Sequence, residues 1–139
     1  MKTRSIKQKE IVKKNYVIDA KGIIIGKLAV RVAKVFLGKS KVTSARYVPI
    51  FDNVYVKNAS MVEVVPSRYE KKYYWHSQYP GGFKNATFEK LRKNNPKKLI
   101  QKSVWGMLPK NRLGRAMLEQ LNVYPDDKLP ELEYITINI

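Results

Sequence analysis

Cysteine is absent from all 139 residues, which excludes disulfides and thiolate-based zinc sites and leaves nothing that points to an oxidising compartment. Histidine occurs once, at His76, and acids are scarce: 11 Asp plus Glu stand against 28 Lys plus Arg, a formal net charge of +17. Long apolar runs are missing as well. The longest, Gly22 to Ile25 and Val35 to Leu37 with their neighbours, fall far short of a membrane span. Met1 to Asn15 carries Lys2, Arg4, Lys7, Lys9, Lys13 and Lys14 against the single acid Glu10. It lacks the apolar centre of a secretory signal, and it is Lys-rich where a transit peptide is rich in Arg and Ser. We expect residues 1–15 to form a basic arm.

The same scarcities argue against catalysis. An active site needs a base, a nucleophile or metal ligands in some arrangement. Here the carboxylates are scattered singly, apart from Asp126-Asp127 and Glu131/Glu133. Paired carboxylates can hold a hard cation or do acid–base work, but in a polar stretch they read as a solvated turn. No Gly-rich loop follows a strand with phosphate-cradling spacing, and no Ser or Thr stands in a nucleophile context. We expect no enzyme, no metal, no cofactor and no small-molecule substrate.

What is present is a core and an excess of cations. The chain is 44% hydrophobic and 11% aromatic, enough for one domain around one core. A net +17 opposes compaction unless a polyanion neutralises it, and nucleic acid does so with release of condensed counterions. The charge is also segregated: residues 1–115 hold 27 basic and 6 acidic groups, residues 116–139 one basic and five acidic. The nucleic-acid-facing work is therefore expected before residue 116, with the acidic end left to a basic protein neighbour or solvent.

Tyr16-Val17-Ile18-Asp19 reads as a buried strand, and Gly26 to Leu37 as a helix closed by Gly38. Apolar positions go almost all the way round that helix, except for a stripe of Lys27, Arg31 and Lys34. The stripe is either a basic edge for a partner or cations snorkelling into water. Val54 to Lys57 and Met61 to Val65 read as two further strands joined by a turn at Asn58-Ala59-Ser60, and Tyr73 to His76 as extended. Helices are predicted over Thr87 to Lys93, from Pro96 to about Met107, and over Arg112 to Leu121, where Leu113, Met117 and Leu121 recur at i+4. The order suggests an α/β fold without specifying the order of strands.

Basic residues interleave with aromatics most densely in Arg68-Tyr69-Glu70-Lys71-Lys72-Tyr73-Tyr74-Trp75-His76. Lys71 and Lys72 suit phosphate, and Tyr, Trp or His76 can stack on unpaired bases, although a strand buries alternate side chains and some of these rings are core. Gly81 and Gly82, ahead of Lys84, would let backbone approach an RNA strand closely, or simply make a turn. Lys110, Asn111, Arg112 and Arg115 gather cations at a helix start, where free amides also favour phosphate. Lys39, Lys41 and Arg46 cluster after the first helix.

At these positions the sequence resembles the L-thirteen family of universal large-subunit ribosomal proteins. Val104 to Arg115 contains Gly106-Met107-Leu108-Pro109-Lys110-Asn111, similar to the family's Gly-Met-Leu-Pro-Lys-Asn signature and the helix after it. His76-Ser77-Gln78-Tyr79-Pro80-Gly81-Gly82-Phe83-Lys84 is similar to its His-Ser/Thr-Gly-Tyr-Pro-Gly-Gly-x-Lys loop. Val17-Ile18-Asp19-Ala20, Gly26-Lys27-Leu28-Ala29 and Gly38-Lys39-Ser40-Lys41 match the series that opens the family. The motifs run in family order from about residue 15 to residue 124.

The resemblance implies one three-layer α/β/α domain, residues 16–124, on a small, mostly parallel four-stranded sheet, followed by an extended acidic tail over 125–139. It implies a structural constituent of the large ribosomal subunit that binds large-subunit ribosomal RNA early in assembly, beside neighbouring large-subunit proteins. The setting is a bacterial-type ribosome, in a bacterial cytoplasm or an organelle matrix. RNA contact carries over to Lys39, Lys41, Gly81, Gly82, Lys84, Lys110, Asn111, Arg112 and Arg115. Thr43 to Pro49 matches the family only loosely, and three further features depart from its pattern. Gln78 stands where Gly is usual, Phe51-Asp52-Asn53 replaces a Thr/Cys-Gly-Asp motif, and Pro125-Asp126-Asp127 replaces a histidine-rich ending.

Overall fold

The computed structural model describes residues 12–41 and 52–137. Strand β1 (Asn15–Asp19) lies parallel to β2 (Asn53–Lys57), with Asn15 opposite Asn53 and Asp19 opposite Lys57. Parallel neighbours need a crossover, supplied by helix α1 (Ile25–Phe36). Two short strands complete a parallel sheet of order β5-β2-β1-β6: β5 (Leu121–Val123) beside β2, and β6 (Ile135–Thr136) beside β1.

One face of the sheet, carrying Ile18, Val54, Val56, Leu121 and Val123, packs on the helices. Helix α1 contributes Leu28, Ala29, Val32, Ala33, Val35 and Phe36, while Lys27, Val30, Arg31 and Lys34 stay outside. The helix is thus more amphipathic than its composition implies, because Val30 joins the basic stripe at 41% exposure. Gly38 ends it at φ +63°, and the Gly38 and Lys39 N–H groups donate to the Val35 and Lys34 carbonyls. Helices α2 (Phe88–Asn94), α3 (Pro96–Trp105) and α4 (Arg112–Glu119) add Phe88, Leu91, Leu99, Ile100, Val104 and Met117 to the same core. Phe36 and Phe88 are fully buried, and truncating either to alanine should cost about 3–5 kcal/mol.

The other face bears Val17 and Tyr55 and is covered by the chain that returns after Tyr124. The Tyr134 ring meets Tyr55 edge-on at 5.0 Å, and Tyr124 stacks on it at 6.5 Å. The Asn58, Ala59 and Ser60 N–H groups donate to the carbonyls of Asp126, Tyr124 and Pro125, fastening the start of this segment. The α/β class and small parallel sheet are those expected from the sequence, and the acidic tail supplies both the cover for one face and an edge strand.

Strand β3 (Lys72–His76) pairs antiparallel with β4 (Phe83–Thr87) as a separate hairpin, with Lys72 opposite Thr87 and His76 opposite Phe83. Sequence pattern did not reveal β4, β5 or β6. The strand expected over Met61 to Val65 is also absent. Ala59–Met61 forms a 3-10 turn entered through Asn58 at φ +55°, after which only Glu63 bridges to Ile24. Val62 and Val64 are buried, so the apolar alternation was real, but the pairing with residues 22–25 is limited to backbone bonds at Met61 and Glu63.

Candidate nucleic-acid interface

The Gly106–Asn111 motif is first of all a device for turning α3 into α4. Asn111 caps α4, its Oδ1 accepting from the Gly114 N–H at 2.8 Å. Leu108 is buried, and Gly114 packs so closely that a Cβ there would lie 1.9 Å from the Pro109 carbonyl oxygen. Lys110 folds back, its Nζ donating to the Trp105 carbonyl and lying 4.4 Å from the centre of the Trp105 ring. Arg112 and Arg115 remain exposed on α4.

The hairpin loop obeys similar internal constraints. Ser77 N–H donates to the Gly82 carbonyl, and Gly82 N–H to that of Tyr79. A Cβ on Gly82 would meet Ser77 Oγ at 2.1 Å and the Tyr79 carbonyl oxygen at 2.8 Å, so this buried glycine is required by the turn itself. Gly81 faces open space at φ +70°. Gln78 adopts the same left-handed φ of +70°, which explains why glycine suits the position and leaves the glutamine strained. Its N–H donates to His76 Nδ1 at 2.9 Å, which leaves Nε2 of the exposed imidazole free to face outward.

The cations expected to contact RNA separate into groups. Lys71 and Lys72 line a groove of about 900 Å³ between the start of α1, the Pro66–Arg68 turn, β3 and α3. Lys27, Arg68 and Lys102 join them there, and among the described residues no carboxylate lines the groove. Lys84 lies beside Lys90, Lys98 and Trp75 in a second cleft, with Lys98 Nζ 4.5 Å from the Trp75 ring centre. Lys39 shares a third with Arg31 and Lys34. Lys102 was not apparent in the sequence as a site residue. Its only signal there is a cation beside a buried helix stripe, which a solvated face also shows.

Lys41 is placed differently. Its Nζ lies 2.7 Å from both oxygens of Asp52, whose side chain is completely buried and also accepts from the Lys14 N–H. Its charge is therefore neutralised within the protein. Arg46 lies outside the described residues. The other ion pairs among the described residues join Lys57 to Asp127 at 2.7 Å and to Asp19 at 3.6 Å, where the sheet meets the returning tail. Asp127 chiefly, with Asp19, holds the Lys57 ammonium above its ordinary range. Partial burial pushes Asp19 up, but hydrogen bonds from Asn58 and the Lys21 N–H, with the Lys57 charge, bring it below the usual carboxylate range.

The family model for Ribosomal protein L13 matches residues 13–130. The large ribosomal subunit protein uL13 of Thermotoga maritima is 44% identical over 130 residues, spanning 93% of this chain and 87% of that protein. Its counterpart in Magnetococcus marinus is 43% identical over 132 residues, 94% of this chain and 92% of that one. In Aquifex aeolicus the figures are 44% over 131 residues, 94% and 91%.

Proposed function

Because the chain belongs to the ribosomal protein L13 family, and is thus a structural constituent of the large ribosomal subunit and not an enzyme, we propose that it binds and stabilises large-subunit ribosomal RNA early in assembly. The observation that carries this reading is the distribution of charge in three dimensions. Lys39, Lys71, Lys72, Lys84, Lys110, Arg112 and Arg115 are exposed, and among the described residues none is in an ion pair with a carboxylate. Of the acids, Asp52 is buried against Lys41, while Asp19 and Asp127 meet at Lys57 beside the tail.

Such a surface neutralises phosphates over a wide footprint and recognises the shape of folded RNA, and among the described residues no groove-reading element is present to read a linear sequence. Within it, Lys39, Lys84, Lys110, Arg112 and Arg115 contact phosphate, and Arg46, which lies outside the described residues, is assigned the same role from the sequence. Asn111 and Gly82 hold α4 and the hairpin loop in the shape that presents those cations. Gly81 from the loop and His76 from the end of β3 face RNA. Lys41 acts through Asp52, fixing the chain beside β2. The tail side, with Glu131 and Glu133, suits a basic neighbouring protein of the large subunit.

Sedimentation of the tagged chain in low-magnesium gradients, where subunits separate, tests the reading. The chain should follow the large-subunit peak and bind deproteinised large-subunit RNA directly. Co-sedimentation without RNA binding in isolation would refute direct binding, and absence from the peak would refute the ribosomal role.

A further inference from the structure

On the β3–β4 hairpin, Tyr74 and Phe83 stack on each other in the open, with ring centres 5.6 Å apart and planes 19° from parallel. Tyr74 is 52% and Phe83 61% exposed. Strand alternation puts Lys72, Tyr74 and His76 on this outward face, while Tyr73 and Trp75 point back toward α3. Tyr74 also borders the groove formed by Lys27, Arg68, Lys71, Lys72 and Lys102. Lys71 and Lys102 lie 5.2 and 5.6 Å from the centre of the Tyr73 ring, and Lys102 Nζ donates to the Tyr74 carbonyl. Rings and carbonyls hold these ammonium groups in place without cancelling their charge.

We infer that this hairpin face is a stacking site for unpaired nucleobases, with the adjoining groove carrying the phosphates of the same single strand. The inference rests on the RNA-binding reading above and specifies the form of RNA taken here. A paired A-form helix offers phosphates and 2′-hydroxyls but no free base faces, so it would use the groove and leave the two rings idle. An unpaired strand uses both, since every base has a π-face and the cations follow its backbone. An acidic peptide would be held by the cations, but its carboxylates offer no aromatic face to stack on an open pair of rings.

The test is fluorescence anisotropy of the full chain with an unstructured RNA 12-mer and with an A-form duplex of the same length. Y74A/F83A should lose roughly 5- to 150-fold affinity for the single strand. Duplex affinity should stay within about twofold, and the salt slope should not change, because no charge is removed. R68Q/K71Q/K72Q should instead flatten the single-strand salt slope by about 2. Y74F should retain binding. To guard against misfolding of the double variant, a strand bearing 5-bromouridine should photocrosslink to Tyr74 or Phe83 of the unaltered chain. Equal losses on both RNAs, no loss on either, or crosslinks only elsewhere would overturn the stacking site while RNA binding stood. Failure of the unaltered chain to bind the single strand would overturn the stacking site, and the RNA-binding reading would fall with it only if deproteinised large-subunit RNA were not bound either. Selective loss of an acidic peptide, with RNA unaffected, would assign the face to a protein partner and overturn this inference.

Discussion

Replacing Gly114 with alanine sets helix propensity against packing. Propensity favours the change, since alanine is about 1 kcal/mol better than glycine inside a helix. Packing opposes it: the new Cβ would sit 1.9 Å from the Pro109 carbonyl oxygen, where real contacts stay above 3.0 Å, so α4 or the turn must withdraw by the difference, 1.1 Å. Neither is free to move. Leu108 is 3% exposed in the core, and the Gly114 N–H is held by Asn111 at 2.8 Å. Overpacking costs about 1–3 kcal/mol and a lost cap about 0.5–2 kcal/mol. Set against the propensity gain, the net is a destabilisation of about 0.5–4 kcal/mol, with a central value near 2. At roughly 4 °C per kcal/mol for a domain of this size, Tm should fall by about 8 °C in a circular-dichroism melt. Gly26→Ala is the control, because a Cβ there meets nothing within 4 Å, and it should gain up to about 1 kcal/mol. If Gly114→Ala melts at or above the unaltered protein, close approach to Pro109 is not why glycine occupies the position.

Three further outcomes follow from the ion pairs and exposed cations. Lys41→Met strands the buried Asp52 carboxylate and should cost about 3–5 kcal/mol in urea unfolding. Lys39→Met, on the exposed side, should stay within about 0.5 kcal/mol, and equal effects would deny Lys41 its anchoring role. The tail contact should also depend on pH. Asp19 is shifted below 3.8, so its contribution is present above that value and lost as pH falls through the lowered one; Lys57 is shifted above 10.5, so its contribution is lost only as pH rises beyond that. Protection of the Ile137 N–H, which donates to the Val17 carbonyl, should drop in hydrogen exchange as pH is lowered well below 3.8, and unchanged protection would deny the Asp19–Lys57–Asp127 contacts a part in holding the tail. Finally, if roughly 6–10 phosphates are neutralised, RNA affinity should fall roughly 10³–10⁵-fold between about 50 and 200 mM salt. Neutralising Lys110, Arg112 and Arg115 should weaken binding more than neutralising Lys90, Lys93 and Lys97, and equal losses would remove the assignment to α4.

Local chemistry by itself determined the α/β class, the two central strands and the four α-helices among the described residues to within a few residues. Periodicity, a capping asparagine, a proline in a first turn and a closing glycine act within a few positions of chain. The family and the basic character were legible for the same reason, since motif order and charge are properties of the chain before it folds. Strand partners were not legible. Phe83–Thr87 has no apolar alternation because most of its side chains face solvent, Leu121–Val123 continues an i+4 pattern that reads as helix, and Ile135–Thr136 is exposed. Each becomes a strand only because another backbone lies beside it. Tertiary structure likewise decided which cations stay available and which are neutralised. Lys39 and Lys41 look alike in sequence, but only Lys41 meets a buried carboxylate 11 residues away. The acidic tail, distinct by charge alone, returns to cover Tyr55 and pair with Lys57. Burial, pairing and neutralisation are relations between residues far apart in the chain, so they take definite values only once packing has brought those residues together.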